Sequence, residues 1–182
     1  TYFYFITFGG FIALTVWLPT FWTGLFKISM VQAGLFTAAF SLSASLLRVA
    51  GGIASDRLGG LLVAQFSFGV VAAGSLVLIF GGRSIAAAFL GQMLLALGMG
   101  VANAAVFKLV PKFTPKAVGS AAGIIGGLGA FGGFVLPPAL GLFVRMSGEP
   151  GYAQGFYLFL GLAASALILF TVLKRSAASA LP

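Results

Sequence analysis

Six long apolar runs, separated by only a few residues each, constrain this chain more than any other feature. They cover roughly residues 2–26, 31–55, 61–80, 85–107, 118–144 and 151–173. A helix needs about 20 apolar residues to cross roughly 30 Å of hydrocarbon. The runs are continuously apolar, whereas membrane β-strands alternate apolar and polar residues. The sequence therefore predicts an all-α integral membrane protein whose six transmembrane helices form one six-helix bundle.

The composition excludes several classes of function. Hydrophobic residues make up 60% of the chain and charged residues 7%, with a mean hydropathy of +1.15, so lipid must cover most of the surface. The net charge of +8 does not indicate nucleic-acid binding, because the ten Lys and Arg residues form no basic stripe. The chain has no Cys and no His, and we expect no metal, no cofactor and no enzymatic activity.

The distribution of cations between the apolar runs predicts the orientation. If the chain starts at the cytoplasmic side, that side holds Arg57, Lys108, Lys112, Lys116, Lys174 and Arg175. The opposite side then holds only Lys27, Arg83 and Arg145. This excess predicts a multi-pass protein of the cytoplasmic membrane with both termini in the cytoplasm. We assign residues 1–175 to the bundle and residues 176–182 to a tail.

Arg48 is a charge deep inside the second run. It precedes Asp56 by eight residues, which is about 12 Å of helix. An arginine at the centre of a span costs at least about 2.5–3.5 kcal/mol, so it usually faces a cavity or a pathway. Its planar, permanently charged guanidinium suits a small planar oxyanion that accepts two parallel hydrogen bonds. The alternative is a structural arginine bonded to helix carbonyls or to an acid in an absent partner, since the spans contain no acid to neutralise it.

Residues 51–60, which read GGIASDRLGG, join the second and third runs. Asp56 and Arg57 lie at the predicted helix end, and the following glycines permit a tight turn. On composition alone this is a capped connection. The stretch resembles the cytoplasmic loop signature of the major facilitator superfamily, with Gly60 and Leu61 in place of its final basic residues. In that superfamily the acid and the arginine lock neighbouring helices at the cytoplasmic gate.

The fifth run is unusually rich in glycine, at positions 119, 123, 126, 127, 129, 132, 133 and 141. In a membrane, small residues repeated every four positions let helices approach closely, and Gly119, Gly123 and Gly127 have that spacing. We expect close packing to account for most of these glycines. The functional alternative is a bare backbone surface beside a substrate, on a helix that bends, especially at Pro137 and Pro138.

Three stretches together carry a closer resemblance: LLRVAGGIASDRLGG at 46–60, GMGVANAAVFKLVPK at 98–112 and GIIGGLGAFGGFVLPP at 123–138. They are similar to the second half of the nitrate/nitrite porter family within the major facilitator superfamily. The resemblance covers nearly the whole chain and implies one six-helix bundle of that superfamily's fold. It also implies a matching N-terminal six-helix half, with lipid around both. Because Thr1 stands at the start of an apolar run, we expect this chain to be part of a longer protein.

The resemblance implies roles for particular residues. Arg48 matches the second-half arginine that holds the anion. Tyr4 and Phe8 match an aromatic pair that lines the site, although on their own two aromatics on one helix face indicate only packing or an interface belt. The signature positions nearest the substrate match Gly126, Gly127 and Gly129.

Asn103 lies deep in the fourth run. An intramembrane amide usually bonds to another helix, and the alternative is that it lines the pathway as a substrate-binding residue. Gln92, in the same run, carries less information, and we assign it no role.

These features together predict secondary transport of nitrate or nitrite by alternating access, with anion exchange and with this chain as one half of the transporter. Arg48 would pair with an arginine of the other half, so that two cations hold one anion. A superfamily carrier for another small anion or an organic acid is the alternative within transport. A non-transporting scaffold or sensor is the alternative outside it. The sequence leaves open the preference between nitrate and nitrite, the direction, any proton coupling and the oligomeric state.

Overall fold

The computed structural model describes residues 1–179, and at residues 112, 113 and 173–179 it describes the backbone alone. Within that part the chain forms six helices long and apolar enough to cross a membrane. We number them α1 (Tyr2–Phe26), α2 (Met30–Leu58), α3 (Gly60–Phe80), α4 (Ile85–Phe113), α5 (Val118–Ser147) and α6, whose spanning part is Gly151–Val172. The prediction of an all-α membrane protein with six spans is confirmed.

Three of the six helices are not uniform. In α1, a π-helical segment (Phe5–Gly9) separates a first turn from the α-helix Gly10–Phe26. In α5, a turn at Phe131 separates Val118–Ala130 from Gly132–Ser147. The helix is continuous through Pro137 and Pro138, so α5 is interrupted six residues before the prolines at which we expected it to bend. In α6, Gly155 separates Gly151–Gln154 from Phe156–Ser179.

Several helices are longer than the apolar runs. Because α2 continues to Leu58, Asp56 and Arg57 lie in its last turn, and Gly59 alone connects it to α3. Gly59 has a φ of +87°, which glycine adopts without steric cost. The helix of α4 includes Lys108 and ends at Phe113. The division at residue 175 stays a prediction: α6 remains helical to Ser179, and residues 180–182 lie outside the described part.

The helices pack around a core of aromatic and small residues, with α4 against α2 and α3, α6 against α3, and α1 against α2 and α5. Small residues allow the closest approaches. A Cβ added to Gly51 would lie 2.6 Å from the backbone oxygen of Val101, so α2 and α4 touch through their backbones at this point.

The glycines of α5 differ in whether they contact another described helix. Gly129, Gly132 and Gly133 pack against α1, where an added Cβ would lie 2.5–2.7 Å from atoms of that helix. An added Cβ would meet nothing within 4 Å, among the described residues, at Gly119, Gly123, Gly126, Gly127 and Gly141. Close packing within the described chain therefore accounts for three of the eight, fewer than expected.

The two ends of the bundle each hold one ion cluster. At the Asp56 end, where α2 meets α3, Lys108 of α4 pairs with Asp56. At the Glu149 end, Arg83 and Lys27 pair with Glu149 at 2.6 and 3.8 Å. The chain contains only two acidic residues, so both are engaged at the ends of the bundle.

Candidate substrate site

Arg48 of α2 points at the first helix. It is half-buried, and its Cζ atom lies 5.3 Å from the ring centre of Phe8 and 5.1 Å from that of Phe11. Cations within about 6 Å of an aromatic ring centre are attracted by the negative ring face. Two aromatic rings of α1 therefore hold the guanidinium in place.

The same arginine has no counter-ion in the described part of the chain. Its Nε atom is buried without a hydrogen-bond partner among those residues. Asp56 and Glu149 are paired with other cations. The described residues give its guanidinium no hydrogen bond to a helix carbonyl, so the structural alternative would need an acid of the matching half. An unpaired guanidinium inside a membrane span is costly unless a charged partner joins it.

Tyr4 continues the aromatic surface next to Phe8. The two rings are stacked at 4.9 Å, and Phe107 of α4 meets Tyr4 edge-on at 4.6 Å. Tyr4 also rests against Gly129 of α5, where an added Cβ would lie 2.5 Å from Tyr4 Cδ1. Gly129 thus provides the bare backbone that the tyrosine ring needs.

The π-helical segment lies within this aromatic surface, since it includes Phe8 and directly follows Tyr4. At its end, Gly9 faces the break in α5: an added Cβ would lie 2.7 Å from Gly132 Cα. Short π-helical segments occur frequently at functional sites. The π-helical segment of α1 and the break in α5 therefore contact each other next to the aromatic residues that lie beside Arg48.

Asn103 is 4% exposed, and neither its amide nitrogen nor its amide oxygen has a hydrogen-bond partner among the described residues. One turn before it, Gly100 contacts the backbone of α2 at Ala44. One turn after it, Phe107 contacts Tyr4 of α1. Asn103 therefore lies between α4's contacts with the two helices that carry Arg48 and its aromatic neighbours. The expected hydrogen bond to another helix is not formed within the described chain.

The remaining predicted residues lie apart from this group. Gly126 is half-buried and Gly127 is exposed, and an added Cβ at either would meet no described residue. Asp56 pairs with Lys108 across α2 and α4, at the end of the bundle. Arg57 is exposed and has no ion pair with any residue that the structure describes.

Sequence reasoning missed three neighbours of the site. Phe11 follows Phe8 by three residues, so helical spacing alone places it on the same face. Phe107 follows Asn103 by four residues and shares its face for the same reason. Lys108, counted only as an orientation charge, is the partner of Asp56, and only the tertiary structure pairs them.

The family model described as Major Facilitator Superfamily matches residues 2–181. The chain belongs to the Major Facilitator Superfamily. It is thus a multi-pass membrane protein of a superfamily of carriers, and its six spans form a bundle of that fold.

Curated relatives within the superfamily narrow the resemblance. One, named "Probable nitrate/nitrite antiporter NarK1" from Thermus thermophilus, is 36% identical over 94% of this chain and 43% of its own length. The "Nitrite extrusion protein" of Bacillus subtilis is 36% identical over 92% of the chain and 42% of its own length. The "Probable nitrate transporter NarT" of Staphylococcus epidermidis is 32% identical over 88% of the chain and 41% of its own length. The resemblance to the nitrate/nitrite porters is confirmed, and the chain spans about two fifths of the length of these relatives.

Proposed function

We propose that this chain is one half of a carrier that exchanges nitrate and nitrite across the cytoplasmic membrane. One observation carries the proposal: Arg48 lies in a membrane span within 5.3 Å of the ring centres of Phe8 and Phe11, and no acid of the chain neutralises it. The names of the three relatives support the substrate. The chain covers only 43%, 42% and 41% of these three relatives, which supports the view that a second half completes the protein.

The geometry around Arg48 suits a small anion. The rings of Phe8 and Phe11 attract the guanidinium carbon, while its N–H donors point outward in the guanidinium plane. A planar oxyanion can accept two parallel charge-assisted bonds from such a fork. Aromatic side chains on α1 keep the surroundings apolar, so that an arriving anion exchanges its water for a fixed cation.

The charges of the proposed site would couple alternating access to the presence of the anion. We infer that a second arginine from the matching half faces Arg48 across the interface between the halves. Two cations repel each other when the site is empty, and an anion that bridges them removes the repulsion. Closure around the site therefore requires substrate, which favours exchange of one anion for another over movement of an empty carrier.

Asn103 and the glycines complete the proposed site. The unpaired amide of Asn103 would donate a hydrogen bond to the anion, or to a group of the other half when the carrier closes. Gly129 supports Tyr4 directly. Gly126 and Gly127 would present bare backbone to the substrate, since no side chain of the described residues covers them.

The orientation and the gate belong to the same proposal. The excess of cations supports a cytoplasmic position for the Asp56 end and for both termini. The ion pair between Asp56 and Lys108 joins α2 to α4 at that end. We propose that it forms part of the cytoplasmic gate, with exposed Arg57 available to the other half. The side chains of Lys112, Lys174 and Arg175, which contribute to the charge count, lie outside the described residues.

The test is Arg48→Lys in the complete protein that contains this chain, reconstituted in proteoliposomes loaded with nitrite. Lysine keeps the charge but cannot form the bidentate pair, so the apparent affinity for external nitrate should fall about 30-fold or more. Arg145→Lys is the matched control, because Arg145 is exposed at the end of α5 and its replacement should leave exchange unchanged.

Each other result has a defined meaning. Nitrate uptake by Arg48→Lys at the wild-type rate and affinity would show that Arg48 does not hold the substrate. Uptake of another anion in preference to nitrate and nitrite would establish a carrier for that anion. A folded wild-type protein that moves no anion would establish a scaffold or sensor.

A further inference from the structure

A cavity of about 340 Å³ opens at the Glu149 end, between the ends of α1, α3 and α6. Its volume lies within the range of about 300–1,000 Å³ that is usual for small-molecule sites. The polar part of its wall contains Arg83, Glu149 and Gln154, and the apolar part contains Ile79, Phe80 and Tyr157. Neither α3 nor α6 contributes a residue to the site around Arg48, so this cavity is separate from it.

The charged side chains of the cavity leave both a donor and an acceptor available. Arg83 Nη2 donates to Glu149 Oε1 at 2.6 Å, but the arginine side chain is 77% exposed and carries further N–H groups. Glu149 Oε2 lies 3.8 Å from Lys27 Nζ, which is longer than a hydrogen bond, and no other described residue donates to it. The cavity therefore offers a cation and a carboxylate oxygen side by side.

The apolar part of the wall faces outward from the bundle. Phe80 is 71% exposed and Tyr157 is 44% exposed, in helices long and apolar enough to cross a membrane. Aromatic side chains near the ends of spans lie at the level of the lipid headgroups. A ligand of this cavity would thus place its polar part against Arg83 and Glu149 and its apolar part against Ile79 and Phe80.

We propose that this cavity binds a zwitterionic phospholipid whose headgroup carries a primary ammonium, as phosphatidylethanolamine does. The phosphate accepts hydrogen bonds from Arg83, and the ammonium donates to Glu149 Oε2. Opposite charges on the wall match the opposite charges of the headgroup. A trimethylammonium headgroup has no N–H donor and cannot form a hydrogen bond to Glu149 Oε2, which has only the more distant ion pair with Lys27 at 3.8 Å. This binding site is independent of the transported substrate.

The experiment is native mass spectrometry of the complete protein in detergent, titrated with phosphatidylethanolamine, with phosphatidylcholine of the same acyl chains, and with inorganic phosphate. Wild type should retain the ethanolamine lipid about tenfold better than the choline lipid, and phosphate should not displace it. Arg83→Gln should weaken ethanolamine-lipid binding about tenfold, and Glu149→Gln should bring the two lipids to equal affinity. Arg145→Gln is the control: it removes an exposed cation at the same end of the bundle and should change neither value.

Three results would overturn the proposal. Equal retention of both lipids by wild type would exclude recognition of the ammonium. An equal loss of ethanolamine-lipid binding in Arg83→Gln and Arg145→Gln would show that the lipid responds to the net charge of this end and not to Arg83 itself. Displacement by inorganic phosphate would make this a site for free anions. If Arg83→Gln does not fold, Arg83→Lys is the second variant, because it keeps the charge beside Glu149. This variant should retain the preference for the ethanolamine lipid. Loss of the preference in Arg83→Lys would contradict the assignment.

Discussion

Helices α1, α2 and α4 meet at two levels, and buried polar groups behave differently at each. Toward the Glu149 end, the fully buried Gln92 accepts a hydrogen bond from Trp22 Nε1 and donates one to the carbonyl oxygen of Phe36, both at 2.9 Å. We call these three groups the Gln92 network. At the level of Arg48 and Asn103, three buried polar atoms have no partner among the described residues.

If the proposed function is correct, this difference separates polar groups that hold helices together from polar groups that bind substrate. A satisfied network in an apolar interior ties helices together, whereas an unsatisfied group costs free energy until something binds it. Trp17 shows that a missing partner is not sufficient by itself, because its Nε1 is also buried and unpaired among the described residues. What distinguishes the Arg48 level is a permanent charge together with a second unpaired group on the facing helix.

The largest effect on stability is expected from Gln92→Leu. The substitution leaves the indole N–H of Trp22 buried without an acceptor, so the free energy of unfolding should fall by about 2 kcal/mol. Thermal unfolding of the complete protein in detergent measures this. Gln65→Leu on α3 is the matched control, because Gln65 is half-buried and makes no hydrogen bond among the described residues. Equal melting temperatures for the two variants would show that the network does not hold the helices together.

An intermediate effect is expected from Gly129→Ala. The added methyl group would overlap Tyr4, which would have to move, so we expect a loss of about 1 kcal/mol in stability and weaker nitrate exchange. Gly141→Ala, on the same helix, adds a methyl group where no described residue lies within 4 Å and is the control. Exchange by Gly129→Ala at the rate of the control would mean that the position of Tyr4 does not affect transport.

The smallest effect on stability is expected from Asn103→Leu, which sharpens the comparison. Removing an amide that has no partner should leave the melting temperature unchanged or raise it, while the apparent affinity for nitrate falls about tenfold, or about 1.4 kcal/mol. Proteoliposome exchange and thermal unfolding on the same preparation test both parts. A loss of stability as large as that of Gln92→Leu would show that Asn103 is structural and that the two levels do not differ.

The sequence was sufficient for the features that depend on the membrane as a solvent. Apolar runs of spanning length identified all six helices, and the energetic cost of a charge in lipid singled out Arg48. Helical spacing placed Tyr4 and Phe8 on one face, and their rings are stacked in the structure. These inferences need only local periodicity and transfer free energies.

Features that depend on the arrangement of helices were not accessible in the same way. Gln92 looked uninformative because its partners lie 70 and 56 residues away in the chain. The break at Phe131 coincides with the crossing of α1 over α5, whereas local rules pointed to the prolines. Helix ends were underestimated because charged residues such as Asp56 and Lys108 extend the helices beyond the apolar core, where each neutralises the other.

The cluster around Glu149 also has a consequence for the order of synthesis. Lys27 and Arg83 leave the ribosome long before Glu149, which follows Arg83 by 66 residues. The Gln92 network needs only the first four helices, and the contact of Tyr4 with Gly129 must wait for the fifth. The carboxylate of Glu149 then pairs with one cation from the connection of each earlier hairpin, α1–α2 and α3–α4. The complete cluster therefore cannot form until both earlier hairpins are in place.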